Sequence, residues 1–284
     1  MLKNRIVTSV WVIPLLGVII WFGEPYFTIT AAIIGLLAAI EFFRLTRELK
    51  AQSLTVFGII WTALIIVIRN AGINTRLAQN FDTGLIIPAV ITSGMIVSLI
   101  LLLTRKQKTG AFADWSWTLA EIFYVGWFLG YFVALRGLGG SASTIGRNWV
   151  FLAIFTSFGS DSAAYFIGSA LGKHKMAPAI SPKKSWEGCI GGLFGAVLVS
   201  LFFVLNTPLK VNGYLNWWQL VIVGLLVSVF GQLGDLVESL FKRNTGVKDS
   251  GNLFPGHGGM LDRIDSLVFA AIIVYYVAVL FKLY

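Results

Sequence analysis

The stretch from Trp217 to Asp265, WWQLVIVGLLVSVFGQLGDLVESLFKRNTGVKDSGNLFPGHGGMLDRID, decides how this chain is built. Residues 217–238 form a nearly unbroken apolar run. Roughly 20 such residues span a bilayer as a helix. The run ends in Asp235 and Glu238, and a polar loop follows from Ser239 to Asp265. That loop gathers Lys242, Arg243, Lys248, Asp249, His257, Asp262, Arg263 and Asp265. Another apolar run begins at 264. Cations hold phosphates, carboxylates hold a divalent metal, and glycines let backbone approach a ligand. Their meeting at a membrane edge points to chemistry on a phosphorylated lipid.

The rest of the chain has the same character. Of 284 residues, 57% are hydrophobic and only 12% charged, with a mean hydropathy of +0.81. A soluble domain carries about 25% charged residues. The expected fold class is therefore an all-α polytopic membrane protein, because only helices satisfy their own backbone in lipid without closing a barrel. Nine spans are expected, at 6–22, 26–43, 54–69, 85–103, 117–135, 149–171, 187–205, 217–238 and 264–281. The first, behind Lys3 and Arg5, resembles a signal peptide, but no small-residue cleavage site follows and another span begins at once. It reads as a transmembrane helix. Residues 1–110 carry generic membrane helices, and 111–284 carry the loops with chemistry.

Nine spans put the termini on opposite sides. With a cytoplasmic N-terminus, the far side holds Arg69, Arg76, Arg136, Arg147, Lys210 and Lys282. That leaves 16 of the 22 Lys and Arg on the cytoplasmic side, the bias that orients membrane proteins. The loops 172–186 and 239–265 then share the cytoplasmic face of the cell (inner or plasma) membrane. The net charge of +9 is accounted for by topology, so no nucleic-acid partner is expected. A single cysteine, Cys189, excludes an internal disulfide and reads as a packing residue. With two histidines, the chain lacks a Cys/His zinc cluster.

Carboxylates within spans are costly and need partners. Glu41 stands three residues before Arg44, so a local helix pair is sufficient. Glu121 has no partner nearby in sequence. Asp161 lies among Gly159, Ser160, Ser162, Ala163, Ala164 and Gly168. Such residues permit close helix packing, or hold the carboxylate in a tight junction as a metal ligand. Asp235 and Glu238 share a helical face, as do Asp262 and Asp265. Acids at the start of the last helix suit its dipole. Asp235 and Glu238, near a helix C-terminus, lack that explanation. Two carboxylate pairs flanking one basic loop read as a site for Mg²⁺ or a similar hard cation.

A second polar island runs from Ile180 to Gly188. Pro182 holds Ser181 extended and favours a helix soon after. Lys183 and Lys184 are expected at that helix N-terminus with Ser185 as its cap, forming a phosphate cradle. They equally suit a positive anchor beside a span, and Trp186 an interfacial one. Gly256, Gly258 and Gly259 bracket His257 and permit positive φ. His257 is read as a phosphate ligand, a general acid or a loop hydrogen-bonder.

The 239–265 stretch resembles the signature of the phosphatidate cytidylyltransferases, or CDP-diglyceride synthases. The resemblance rests on Ser239, Lys242-Arg243, Lys248-Asp249, Pro255, His257-Gly258-Gly259, Asp262-Arg263 and Asp265, without departure. Residues 181–188 are similar to the family's Ser-Pro-Lys-Lys-Ser/Thr-x-Glu-Gly pattern, and 157–165 to its small-residue aspartate segment. The resemblance says little of the amino-terminal third. It implies that CTP and phosphatidic acid give CDP-diacylglycerol and pyrophosphate, with Mg²⁺ and room for a second cation, at the head of bacterial phospholipid synthesis. It is compatible with a homodimer, which the sequence itself does not show.

On this reading Asp235 and Asp262 lead the metal ligands, followed by Asp161, Asp249 and Asp265. Lys183, Lys184, Lys242, Arg243, Lys248 and Arg263 share the two substrates' phosphates, and Ser181 and Ser185 line the same site. Two rivals stand beside it. One is a different membrane phosphotransferase, although the Asp-Gly and Ala-Arg pattern of CDP-alcohol transferases is absent. The other is a cation-binding transporter, which leaves the basic glycine-rich loop unexplained.

Overall fold

The computed structural model describes residues 14–140, 143–205, 207–211, 215–251, 253 and 258–281. It is helical almost throughout. Residues 14–22 form α1. Then follow α2 (Tyr26–Glu48), α3 (Thr55–Ile68), α4 (Ala71–Leu77) and α5 (Thr83–Leu103). Next come α6 (Ala111–Glu121), a π-helical stretch Ile122–Trp127 and α7 (Phe128–Arg136). The remainder is α8 (Thr144–Leu171), a hairpin of β1 (Lys175–Ala177) and β2 (Ser181–Ser185), then α9 (Trp186–Phe202), α10 (Trp217–Asn244) and α11 (Leu261–Leu280).

The polytopic all-α reading holds, and the count of nine spans does not carry over. Six of the described helices are long and apolar enough to cross a membrane, or seven if the α3–α4 pair, bent by 82°, is one span. α9, with 17 residues, falls short of that length. Most of the expected first span lies outside the described residues. α6, the π-helical stretch and α7 run on as one span, Ala111–Arg136.

The chain divides into two compact units. One holds Met1–Ala142 with Asp249–Leu261, the other Ser143–Lys248 with Asp262–Tyr284. The sequence division at residue 110 separated generic helices from chemically informative loops, a different criterion from compactness.

In the first unit, Ala38, Phe43, Ile66, Val125, Val133 and Leu135 are fully buried between helices. Two intramembrane acids find partners there that lie far off in sequence. Glu121 is wholly buried and accepts a hydrogen bond from Thr62 Oγ1 at 2.8 Å. Glu41 is discussed with the site below. Arg69, also buried, stacks its guanidinium over Trp127 and Tyr131, 3.9 and 4.3 Å from the ring centroids.

In the second unit, α8 packs on α9 through small residues. A Cβ at Gly188 would stand 2.9 Å from Ala164 O and 3.1 Å from Gly168 Cα. In lipid, helices associate by such close approach because apolar burial offers no net drive. Trp149, Leu152, Leu220, Val223, Val227 and Val268 fill the interior. Large apolar side chains elsewhere face outward, such as Phe194 and Leu198 on α9 and Ile100 and Leu103 on α5. In water such faces would drive aggregation; here they meet acyl chains.

The hairpin was not expected. Pro182 does hold its neighbourhood extended, but the extension continues to Ser185 and pairs antiparallel with β1, Lys175 opposite Ser185. Lys183 and Lys184 therefore precede α9 on a strand and do not occupy its first turn.

Candidate functional site

The site is built by α8, the hairpin, α9 and α10 of the second unit. Ser185 does cap α9, its hydroxyl accepting from Gly188 N at 3.2 Å. The same hydroxyl lies against Gly168 and Gly172, where side chains would displace it. This fixes the hairpin at the end of α8. Glu187, in the first turn of α9, tightens the connection by accepting from the backbone of Lys173 and His174 and contacting His174 Nδ1 at 2.6 Å.

Between these elements opens a cavity of about 520 Å³. Asp161 from α8 and Asp235 from α10 line it, facing Lys175, Lys183 and Lys184 of the hairpin. Tyr165, Ser185 and Gln232 complete its polar wall. Strand alternation explains the division of labour between the paired lysines: Lys183 is exposed, while Lys184 turns inward. Lys184 Nζ lies 2.8 Å from Asp235 Oδ2 and donates to Gln232 O at 3.3 Å. Ser239 Oγ donates to the other Asp235 oxygen at 3.3 Å.

A polar seam runs along α8, α10 and α11 behind the cavity. Ser160 and Ser228 hydroxyls meet at 2.7 Å, and Gln232 Nε2 donates to Ser228 Oγ at 2.9 Å. Ser266 Oγ donates to Asp161 Oδ2 at 3.3 Å, and Ser266 N to Asp265 Oδ1 at 2.7 Å. Asp161, Asp235 and Asp265 thereby come close enough for their charges to repel one another, with Lys184, Arg263 and Lys242 offsetting that repulsion. Three hard carboxylates held against their mutual repulsion suit a divalent cation. As they stand, no group of three His, Cys, Asp or Glu among the described residues is arranged to hold a metal ion. Their oxygens are the donor type that a hard cation takes, and Lys184 supplies positive charge at Asp235.

Asp262 belongs to a second cluster. Lys242 Nζ lies 2.6 Å from Asp262 Oδ1 and also pairs with Glu238, which is almost wholly buried. Asp235 and Glu238 thus share a helical face but engage different lysines. Arg243 donates to the Ile180 carbonyl at 3.1 Å and reaches the Val247 carbonyl at 3.5 Å. Lys242 and Arg243, expected on phosphates, are here tied to carboxylates and backbone. Just past the end of α10, Gly246 has a φ of +76°, which lets Gly246 N reach Arg243 O and Val247 N reach Lys242 O. This helix-stopping motif needs a left-handed residue. Lys248 and Asp249 beyond it are exposed. Pro255, Gly256 and His257 lie outside the described residues. Gly258 has the positive φ expected of it, +82°. Ser181 is half-buried at the start of β2, opposite Ala177.

One residue read as merely local has a larger role. Glu41 was paired with Arg44 on sequence. Its Oε2 instead accepts from Leu261 N at 2.9 Å and Ser250 Oγ at 3.1 Å, within the first unit. Gly251 and Gly259 pass so close that a Cβ on either would strike its carboxyl. Glu41 thus grips both ends of the 249–261 segment, the heart of the signature loop. Nothing in local sequence reveals a partner more than 200 residues away. Ser228 and Gln232, seven and three residues before Asp235 on α10, share its helical face at i, i+4, i+7, but they were not singled out on sequence.

A cavity that pairs carboxylates with lysines beside apolar helices has the charges to bind phosphates. Comparison with known proteins narrows the reading. A family model described as "Cytidylyltransferase family" matches residues 3–281. The phosphatidate cytidylyltransferase of Bacillus subtilis is 34% identical over 281 residues, covering 99% of each chain. That of Brucella suis is 34% identical, covering 99% of this chain and 94% of its own. That of Staphylococcus haemolyticus is 32% identical over 94% of this chain and 95% of its own. The chain belongs to the cytidylyltransferase family.

Proposed function

We propose that this chain transfers the cytidylyl group of CTP to phosphatidic acid, giving CDP-diacylglycerol and pyrophosphate for phospholipid synthesis. The observation that carries this reading is that relatives named for that reaction align with the chain over nearly its whole length. A phosphate oxygen of phosphatidate attacks the α-phosphorus of CTP in line, and pyrophosphate leaves. Phosphatidate is already anionic at neutral pH, so no protein nucleophile or strong base is required. Catalysis then reduces to alignment and charge neutralisation.

Asp161, Asp235 and Asp265 would hold a divalent cation, Mg²⁺ by donor chemistry, with Asp262 a further carboxylate of the same unit. A cation held there would supply charge neutralisation to the triphosphate and the attacking phosphate. Lys175, Lys183 and Lys184 face the same cavity and would take phosphate oxygens; Lys248 and Arg263 are further cations for that purpose. Lys242 and Arg243 serve first to hold Asp262, Glu238 and the hairpin. Ser181 and Ser185 shape the hairpin that presents the lysines. His257 is assigned to the phosphates. The site faces the cytoplasm of the cell membrane, where CTP is found, and a homodimer accords with the family reading.

The test is pyrophosphate release by purified protein in detergent with CTP, phosphatidic acid and Mg²⁺, each omitted in turn. Release should require all three. Pyrophosphate release that persists without lipid, or CMP release when a CDP-alcohol replaces CTP, would overturn the assignment.

A further inference from the structure

A second cavity lies wholly within the first unit and shares no residue with the site above. It measures about 620 Å³ and sits where α2 and α5 end and α3 begins. Arg47, Ser53, Thr55, Arg105, Lys106 and Gln107 line it. These are the ends of apolar helices, so the cavity lies at the depth where a bilayer's headgroups begin.

Its wall is built and its charge is unbalanced. Arg105 Nη1 pairs with Asp114 at 2.7 Å, and Asp114 accepts from Gln52 N at 2.8 Å. Arg105 also donates to the Gln52 carbonyl. These bonds hold the 51–54 connection and leave Asp114 no capacity to neutralise the rest. Arg47 and Lys106 are exposed and have no carboxylate within 4 Å among the described residues. Ser53 Oγ is buried without a hydrogen-bond partner, and a buried hydroxyl in that state calls for a ligand or a water. α3 starts beside it with no side-chain cap and no acidic residue in its first turn, so its amides add to the positive potential. Leading away are exposed apolar faces, Val56 and Ile60 on α3 and Ile96, Ile100 and Leu103 on α5.

We propose that this cavity binds a phosphate anion, and that its occupant is the headgroup of an anionic phospholipid whose acyl chains lie along α3 and α5. The apolar faces favour a lipid over a free phosphate. The inference does not depend on the proposed reaction, because it is read by binding.

The test compares full-length protein with the Arg47→Gln/Lys106→Gln variant in neutral detergent. Native mass spectrometry would measure binding of phosphatidylglycerol and phosphatidylcholine, and calorimetry that of inorganic phosphate and pyrophosphate. Loss of two cations should weaken phosphatidylglycerol binding about 30-fold, leaving phosphatidylcholine unchanged. Should the double variant fold poorly, Lys106→Gln alone, in an exposed turn, should cost about fivefold. A fall confined to the soluble anions would overturn the lipid occupant, and equal binding of every probe by both proteins would overturn the site.

Discussion

Glu41 offers the sharpest perturbation. Glu41→Ala removes the acceptor for Leu261 N and Ser250 Oγ together. Hydrogen bonds to a charged group contribute about 1.5–3 kcal/mol each. Loss of both should therefore cost the 249–261 segment about 3–6 kcal/mol of local stability. Glu41→Gln keeps a neutral acceptor and should cost about half of that. Hydrogen exchange in detergent reads this directly at the Leu261 amide. A loss of about 3 kcal/mol accelerates exchange roughly 100-fold if that amide opens locally. The helix α5, which takes no part in the Glu41 hydrogen bonds to Leu261 and Ser250, should exchange at its usual rate. Because the segment carries Asp249 and His257, kcat should fall with it in the order wild type, Gln, Ala. Unchanged exchange at Leu261 in Glu41→Ala would refute the reasoning, since a grip that can be released without consequence is no grip.

Other outcomes follow from the same structure. Lys184→Met removes the cation held 2.8 Å from Asp235; it should lower kcat about 100-fold, with melting temperature near wild type, in a steady-state assay beside a thermal shift. Asp262→Asn should abolish activity while membrane insertion and fold persist, judged by gel filtration in detergent; an active, Mg²⁺-dependent Asp262→Asn enzyme would remove that residue from the site. Gly188→Val must push α8 from α9, since even a Cβ would stand 2.9 Å from Ala164 O; the strain should cost about 1–3 kcal/mol, seen as a lower melting temperature. Chelation with EDTA should stop turnover, and Mg²⁺ should restore it, whereas a persistently active chelated enzyme would contradict the cation reading of Asp161, Asp235 and Asp265.

What the sequence made legible was what lipid enforces locally. Apolar runs had to become helices because a bilayer leaves backbone groups no other partner, and the helices lie where hydropathy put them. Length was harder: α3 and α9 are apolar but short, and the bend into α4 follows packing that hydropathy does not record. Ser185 was legible as a cap because capping is a local hydrogen bond. The strand before it was not, because its partner at Lys175–Ala177 is a separate segment. Asp161 and Asp235 stood out by their cost in a span. Their gathering with Asp265 depends on Ser157, Ser160, Ser228 and Ser266, hydroxyls whose significance appears only when three helices meet. The partners of Glu41 and Glu121 lie on other helices, and local pairing rules do not reach that far.

The most direct test of the central claim follows oxygen. Phosphatidic acid labelled with ¹⁸O at its non-bridging phosphate oxygens is turned over with unlabelled CTP, and both products are weighed by mass spectrometry. Attack by phosphatidate on the α-phosphorus of CTP keeps every label in the CDP-lipid and leaves pyrophosphate unlabelled. Label in pyrophosphate or lost to water, or a lipid product without cytidine, would contradict the account.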